Sequence, residues 1–185
     1  MTHYIAFLRA INVGGHVVKM DVLRRLFEAA GMDNVETFIA SGNVIFAHAS
    51  RQTATLEQKI EAQLHAALGY AVTTFVRSVA EVGEAAEHEP FPAAEYTAGA
   101  ALYINFLKQP PDAESERNVL ALNSALHAFS FRGRELYWLR RRQLGAEVYS
   151  GAMLERALKG PATNRSASTV RKLAAKYSPE ARRKP

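Results

Sequence analysis

The first 77 residues alternate between strand-like and helix-like runs, and this order constrains the fold more than any other feature of the chain. Strands are predicted at residues 3–9, 35–39, 44–47 and 71–77. Helices are predicted between the first two strands and between the last two, and each ends at a glycine, Gly31 or Gly69. The resulting order, β-α-β-β-α-β, is typical of a ferredoxin-like split unit. We therefore predict an α+β fold whose N-terminal part is ferredoxin-like.

The second half of the chain is less regular but also mixes strands and helices. Pro90 and Pro92 interrupt it, which indicates a subdomain boundary nearby. We predict a ferredoxin-like subdomain over residues 1–80 and a second, smaller α+β part with C-terminal helices over residues 81–185. The second part repeats β-α-β-β in its element order, but no internal sequence repeat is apparent.

Composition excludes several functional classes. Of 185 residues, 48% are hydrophobic and 22% are charged, as in ordinary globular proteins. The absence of cysteine excludes disulfides, thiolate metal sites and a cysteine nucleophile. The six histidines lack the spacing of metal ligands, so we predict no metal site and no obligatory cofactor. The chain begins directly as a strand and has no membrane-length apolar run, so we expect a cytoplasmic protein.

Basic residues are in excess and unevenly placed. The net charge is +5 and the isoelectric point is about 9.6, which favours a polyanionic partner. Clusters occur at Arg140–Arg142 and near the C-terminus, and Tyr137 and Trp138 precede the first cluster. Interleaved aromatic and basic residues can stack nucleobases and hold phosphates, although neighbouring strand residues point to opposite faces, so at least one ring is expected in the core. Alternatively, the basic residues form only a solvated surface.

Two polar loops are expected to meet at one edge of the N-terminal sheet. In a split unit the third strand lies between the first two, so the loop after the first strand lies beside the turn between the second and third. This places residues 12–16 beside residues 41–43. The first helix also begins here, and its unpaired amides suit an anion or a carbonyl oxygen. Gly14 and Gly15 would let a ligand approach the backbone, and Lys19 adds a charge.

We call this region, residues 9–19 with the turn at 41–43, the loop edge and predict a ligand site there. Its candidate binding residues are Arg9, Asn12, Gly14, Gly15, Lys19, Ser41, Gly42 and Asn43. The glycine spacing matches neither a P-loop nor a dinucleotide-binding fingerprint. Alternatively, the glycines only make a tight turn, and Asn12, Ser41 and Asn43 hydrogen-bond each other to fix neighbouring loops.

A second candidate lies in residues 160–170, which lead into the last helix. Its candidate binding residues are Thr163 and Arg165. At the mouth of a helix capped by Ser166 or Ser168, Arg165 could hold a carboxylate or phosphate through two hydrogen bonds. Equally, it could pair with an acidic side chain or a carbonyl of the main body and dock the helix.

Three motifs together resemble one family. They are Leu-Arg-Ala-Ile-Asn-Val-Gly-Gly near the N-terminus, Ser-Gly-Asn-Val-Ile-Phe in the first hairpin, and Ala-Thr-x-Arg followed by Thr-Val-x-Lys-Leu near the C-terminus. In these motifs the chain is similar to the DUF1697 family of uncharacterised bacterial proteins. The resemblance implies an α+β fold with a ferredoxin-like first part, and it implies no reaction. Ala10 replaces a glycine of the family pattern, and Ser166-Ala167 replaces an Asn-Trp pair, so the C-terminal half of any shared pocket would be altered here.

The sequence leaves three functional hypotheses open. The first is a protein that binds an anionic ligand, either nucleic acid or a nucleotide-like molecule, at the loop edge. The second is an enzyme acting on a small phosphorylated or carboxylated substrate, with no general base that can be named. The residues that would orient this substrate are Arg9, Asn12, Lys19, Ser41 and Asn43. The third is a structural or adaptor module. A deep pocket at the loop edge would favour a small ligand, whereas basic residues spread beyond it would favour nucleic acid.

Overall fold

Strands and helices alternate in the computed structural model, which describes residues 1–12, 14–38, 42–141 and 150–177. The strands are β1 (Thr2–Leu8), β2 (Asp33–Phe38), β3 (Asn43–His48), β4 (Thr74–Ser78), β5 (Ala101–Leu107), β6 (His127–Arg132), β7 (Glu135–Arg140) and β8 (Ala162–Ser166). The helices are α1 (Met20–Ala29), α2 (Thr53–Leu68), α3 (Val79–Glu87), α4 (Ala113–Leu120), α5 (Gly151–Leu158) and α6 (Ala167–Tyr177). The fold class is α+β, as predicted.

Two units divide the chain. One contains Met1–Gly83 together with the chain from Leu173 onward, and the other contains Glu84–Lys172. The sequence prediction placed residues 81–185 in one part. In the structure the end of α6 packs within the first unit, where the Tyr177 hydroxyl donates a 2.9 Å hydrogen bond to the Glu36 carboxylate.

The first unit contains a four-stranded antiparallel sheet in the order β2-β3-β1-β4. β3 lies between β1 and β2 and is antiparallel to both, and β4 pairs with the other side of β1. α1 and α2 have apolar residues at helical spacing, and both pack on the same face of the sheet. Phe27 of α1 and Ile60 of α2 are buried there against Tyr4 and Phe46. The predicted element order and strand arrangement are therefore present.

Glutamates cover the outer edge of β4, which is the last strand in the order of the described sheet. Three alternate backbone amides of β4 donate to carboxylates at this edge. The pairs are Thr74 with Glu61 at 2.8 Å, Val76 with Glu57 at 2.8 Å, and Ser78 with Glu81 at 2.7 Å. Unpaired amides on an edge strand are a template for pairing with another chain. The carboxylates therefore satisfy the amides and block that pairing.

The second unit repeats the topology of the first. Its sheet has the order β6-β7-β5-β8 and is antiparallel throughout, so β5 corresponds to β1, β7 to β3 and β8 to β4. α4 and α5 pack on one face. The buried cluster there includes Leu107, Val119, Phe129, Leu136, Leu154 and Leu158. The order β-α-β-β-α-β followed by a helix thus occurs twice in the described chain.

The shared topology reveals a short sequence repeat. Tyr4-Ile-Ala-Phe-Leu-Arg9 and Tyr103-Ile-Asn-Phe-Leu-Lys108 occupy equivalent central strands. The last strand of each unit ends in Arg-Ser, and Ser78 and Ser166 each accept, through Oγ, the backbone N–H three residues on at 3.2 Å. Each serine therefore caps the helix that follows it. Matches this short are recognisable only once equivalent strands are known, which is why no repeat is apparent from the sequence alone.

We predict that Glu57→Leu lowers the free energy of unfolding by about 1–3 kcal/mol, because the Val76 amide loses a buried acceptor. Glu57 is only 3% exposed, so water does not readily replace its carboxylate. Glu57→Gln keeps an acceptor oxygen and should cost less. Chemical denaturation at neutral pH measures both variants. A glutamine variant as unstable as the leucine variant would show that the acceptor oxygen is not the stabilising feature.

Candidate functional site

The start of the loop between β1 and α1 is hydrogen-bonded to a different segment of the chain on each side. The Leu8 amide donates to the Gly42 carbonyl at 2.8 Å, and the Arg9 amide donates to the Thr73 carbonyl at 2.8 Å. The first bond holds the β2–β3 turn beside the loop, and the second holds the connection from α2 to β4. The structure therefore brings the loop and the Gly42 turn together at the loop edge.

Gly42 permits this close approach. Its φ is +77°, a backbone conformation that residues with a side chain rarely adopt. An added Cβ would lie 2.9 Å from Ile11 Cγ2 and 3.0 Å from Leu8 Cβ, closer than real side chains pack. Gly42 thus shapes the loop edge through its lack of a side chain.

The two asparagines of the loop edge hold the backbone of their own loops. Asn12 Oδ1 accepts the Val18 amide at 2.8 Å. Asn43 is buried, and its Nδ2 donates to the Phe38 carbonyl at 3.0 Å across the β2–β3 turn. In these contacts each asparagine fixes its own loop, whereas the alternative that the sequence left open had Asn12, Ser41 and Asn43 hydrogen-bond each other. Ser41, which that alternative also named, lies outside the described residues.

Gly14 and Gly15 form the open part of the loop. Both have positive φ, +70° and +86°, and among the described residues no atom other than those of the adjoining residues lies within 4 Å of where a Cβ would stand. Val17, in the same loop, is 83% exposed. A ligand can therefore reach the backbone of the two glycines without displacing a side chain.

Tyr70 belongs to the loop edge, although the sequence analysis did not identify it. Its hydroxyl donates to the Ile11 carbonyl at 2.9 Å, and its ring stacks on His16 with centroids 4.1 Å apart. Tyr70 follows Gly69, which ends α2 in the left-handed conformation. The topology contained a signal: β4 is antiparallel to β1, so the connection that leads into β4 must pass the edge where β1 ends.

α1 begins at the loop edge without a side-chain cap. Lys19, its N-cap residue, has an extended backbone and makes no capping hydrogen bond through its side chain. The Lys19 ammonium is exposed, and no carboxylate among the described residues pairs with it. Partial positive charge from the first-turn amides and the full charge of Lys19 therefore occur together.

Asp21 offsets part of this charge. It lies in the first turn of α1, and its Oδ2 is 2.7 Å from Arg25 Nη2. Desolvation raises the pKa of the Asp21 carboxyl, but a hydrogen bond from the Val22 amide and the charge of Arg25 outweigh it and leave the pKa below its ordinary value. Because this carboxylate already engages one amide, an incoming anion would have to compete with it.

Thr163 and Arg165 lie in β8 of the second unit, directly before Ser166 and the start of α6. Arg165 is 8% exposed, and its Nη1 donates to Thr163 Oγ1 at 3.0 Å and to the Asn164 carbonyl at 2.7 Å. Burial lowers the pKa of Arg165 to about 10. Turn-forming residues in this run hid the strand, which is formed by pairing with β5. Ser166 caps α6, one of the two predicted alternatives.

Tyr137 and Trp138 point to opposite faces of the second sheet, as expected. Tyr137 is fully buried, its hydroxyl donates to the Ala85 carbonyl at 3.3 Å, and burial raises its pKa to about 12. Trp138 is half-buried on the face that α4 and α5 cover, and its Nε1 donates to His127 Nδ1 at 3.1 Å. Of these two aromatic residues, only Trp138 can therefore contribute to a surface.

The arginines that follow Trp138 have different roles. Arg140 is exposed, whereas Arg141 pairs with Glu95 and donates to the Ser124 carbonyl at 3.4 Å. Arg141 therefore ties segments of the second unit together. Arg142 lies outside the described residues.

The described residues show no sign of a metal centre or a membrane span. No group of histidine and carboxylate side chains among them could hold a metal ion. No helix in the described ranges has both the length and the apolar character to cross a membrane.

Comparison with known proteins assigns a fold and a family. The structure is similar to that of the conserved bacterial protein SP0830 from Streptococcus pneumoniae, with a TM-score of 0.70 and 24% identity over 95% of this chain and 97% of that chain. At this identity the likeness shows the shared fold. No curated protein matches the sequence. The family model for the protein of unknown function DUF1697 matches residues 1–137, and the chain belongs to this family.

Proposed function

We propose that this protein binds a phosphate-bearing anion, of the nucleotide or nucleic acid class, at the loop edge of its ferredoxin-like first unit. The main support is the start of α1, where Lys19 is exposed and no side chain caps the helix. Helix N-termini bind phosphate because their free amides point outward and the dipole favours negative charge. We place this binding in the cytoplasm, as the sequence predicts.

The open backbone of the loop adds a route to these amides. Among the described residues, no atom beyond those of the adjoining residues lies within 4 Å of a Cβ built on Gly14 or Gly15. A bulky phosphate can therefore lie against the loop. Asp21 reduces the local charge, so we expect weak affinity that falls as salt rises. A polyanion gains more than a single phosphate, because each added phosphate can engage another cation.

The hydrogen bonds that Asn12 and Asn43 already make favour a binding function over a catalytic one. An enzyme at this edge would use Asn12 and Asn43 to orient its substrate. Both already hold backbone groups, at 2.8 and 3.0 Å. The remaining features, the positive end of the α1 dipole and one lysine, can attract an anion without supplying a general base.

Charge changes at the start of α1 should alter affinity in opposite directions. Lys19→Ala should weaken binding of a short oligonucleotide or of inorganic pyrophosphate by up to about 1 kcal/mol, roughly fivefold in Kd, and reduce its salt dependence. Asp21→Asn should strengthen binding, because it removes the competing carboxylate. Calorimetric titration at low salt measures both.

Lys59→Ala is the matched control for the Lys19 variant. Lys59 is exposed and lies beside Gly31, just past the opposite end of α1. The Lys59→Ala substitution removes one positive charge, as Lys19→Ala does, but at a site away from the loop edge. An equal loss of affinity in the Lys59 variant, or unchanged affinity in both α1 variants, would contradict a site at the helix start.

Asn12 separates a loop-fixing role from a ligand contact. We expect Asn12→Ala to lower the free energy of unfolding by roughly 1 kcal/mol, because the Val18 amide loses its acceptor. Asn12→Asp keeps an acceptor oxygen and should retain stability, while its added charge weakens anion binding at low salt. Thermal melting and titration of both variants test this. Normal stability with lost binding in Asn12→Ala would instead show direct contact with the ligand.

A further inference from the structure

Both units have an aromatic pair at the same position of the sheet, but only the first unit buries it. In the first unit Tyr4 pairs with Phe46, their ring centroids are 5.5 Å apart, and they are 2% and 0% exposed. In the second unit Tyr103 pairs with Trp138, their centroids are 5.2 Å apart, and both rings are half-buried. The same strand pattern therefore gives core in one unit and surface in the other.

The described helices of the two units differ in length. α2 has 16 residues and α5 has 8, which correspond to lengths of about 24 and 12 Å. β5 has seven residues and is about 23 Å long, roughly twice the length of α5. The apolar cluster under α4 and α5 includes Leu107, at the end of β5, and Tyr103 lies four residues away, at about 13 Å along the strand.

The half-buried pair is part of a row of rings across three strands, whose third member, Phe129, is buried. Phe129 of β6 stacks on Trp138 with centroids 6.1 Å apart and an interplanar angle of 15°, and Trp138 contacts Tyr103. We call Phe129, Trp138 and Tyr103 the aromatic row. On the other side of Tyr103, the paired residue of β8 is Ser166, whose small side chain ends the row.

A cation lies beside the row. The Arg140 guanidinium carbon is 5.5 Å from the centroid of the Tyr103 ring. Arg140 is exposed, and no carboxylate in the described part of the chain pairs with it. Asn164 of β8, also exposed, donates to Asn105 Oδ1 at 3.2 Å and adds an amide near the row. Planar rings, an arginine that pairs with no carboxylate among the described residues, and an exposed amide thus share one face.

We propose that the aromatic row and Arg140 form a surface for single-stranded nucleic acid, with bases stacking on the accessible parts of Tyr103 and Trp138 and a phosphate bound by Arg140. Stacking accepts any base, because every base has a π-face. Arginine both stacks on rings and binds phosphate. The net charge of +5 favours such a polyanion over a neutral partner. This surface lies in the second unit and does not depend on the loop edge.

Tryptophan fluorescence tests the surface directly, because Trp138 is the chain's only tryptophan. Titration of the full chain with a short oligothymidylate at low salt should quench the fluorescence to saturation. Inorganic polyphosphate supplies the charge without bases and should bind more weakly and quench little. Saturable quenching by the oligonucleotide alone supports the proposal, and equal quenching by both probes overturns it.

Substitutions test whether the oligonucleotide binds at the aromatic row. Tyr103→Leu should weaken oligothymidylate binding about tenfold, while Tyr103→Phe, which keeps the ring, should not. Arg140→Ala should weaken binding and lower the slope of log affinity against log salt by about 0.7. Arg156→Ala, which removes an exposed arginine from α5, is the matched control. Circular dichroism and melting temperature check that each variant is folded.

Lys19→Ala distinguishes this surface from the loop edge. Full affinity of a folded Tyr103→Leu variant overturns the proposal, and so does an Arg156→Ala variant that loses as much as Arg140→Ala. If Lys19→Ala alone abolishes binding, the oligonucleotide belongs to the loop edge instead. If Tyr103→Leu alone weakens it, the aromatic row stands and the function proposed for the loop edge fails for this probe.

Discussion

Hydrogen bonding on both sides of β1 determines the geometry of the loop edge. β1 pairs with β3 on one side and β4 on the other, and the pairing continues past its end through the amides of Leu8 and Arg9. The start of the loop therefore cannot shift unless bonds to two neighbours break together. Positioning by a rigid sheet is what a binding site needs, since a preorganised site loses less conformational entropy when ligand binds.

The same strand arrangement gives a different burial in the second unit, whose described helices are shorter. Tyr4 and Tyr103 occupy equivalent positions in matching segments, yet only Tyr4 is buried, and its hydroxyl donates to the Ser50 carbonyl at 2.7 Å. Burial of a strand residue depends on what covers its face as well as on its own hydrophobicity. A repeated strand pattern can therefore supply core in one unit and a contact surface in the other.

The predictable part of the fold is the part whose signals are local. Gly31 and Gly69 both adopt positive φ after α1 and α2, so the helix ends in the first unit could be placed from sequence. β8 was missed because its residues have weak strand preference, and its conformation comes from pairing with the distant β5. Asn12 and Tyr70 both bind backbone groups whose positions depend on the fold. The sequence therefore left the role of Asn12 open and did not identify Tyr70.

The repeat bears on the role of Arg165. Arg77 and Arg165 occupy equivalent positions in β4 and β8, both are buried, and each Nη1 donates to the carbonyl of the preceding residue, at 3.0 and 2.7 Å. Each is followed by the serine that caps the next helix. A buried guanidinium is costly unless it is hydrogen-bonded, so a contact that recurs in both units points to a common architectural need. A residue kept for one ligand would not require a counterpart with the same bond in the other unit, which favours a structural role for Arg165.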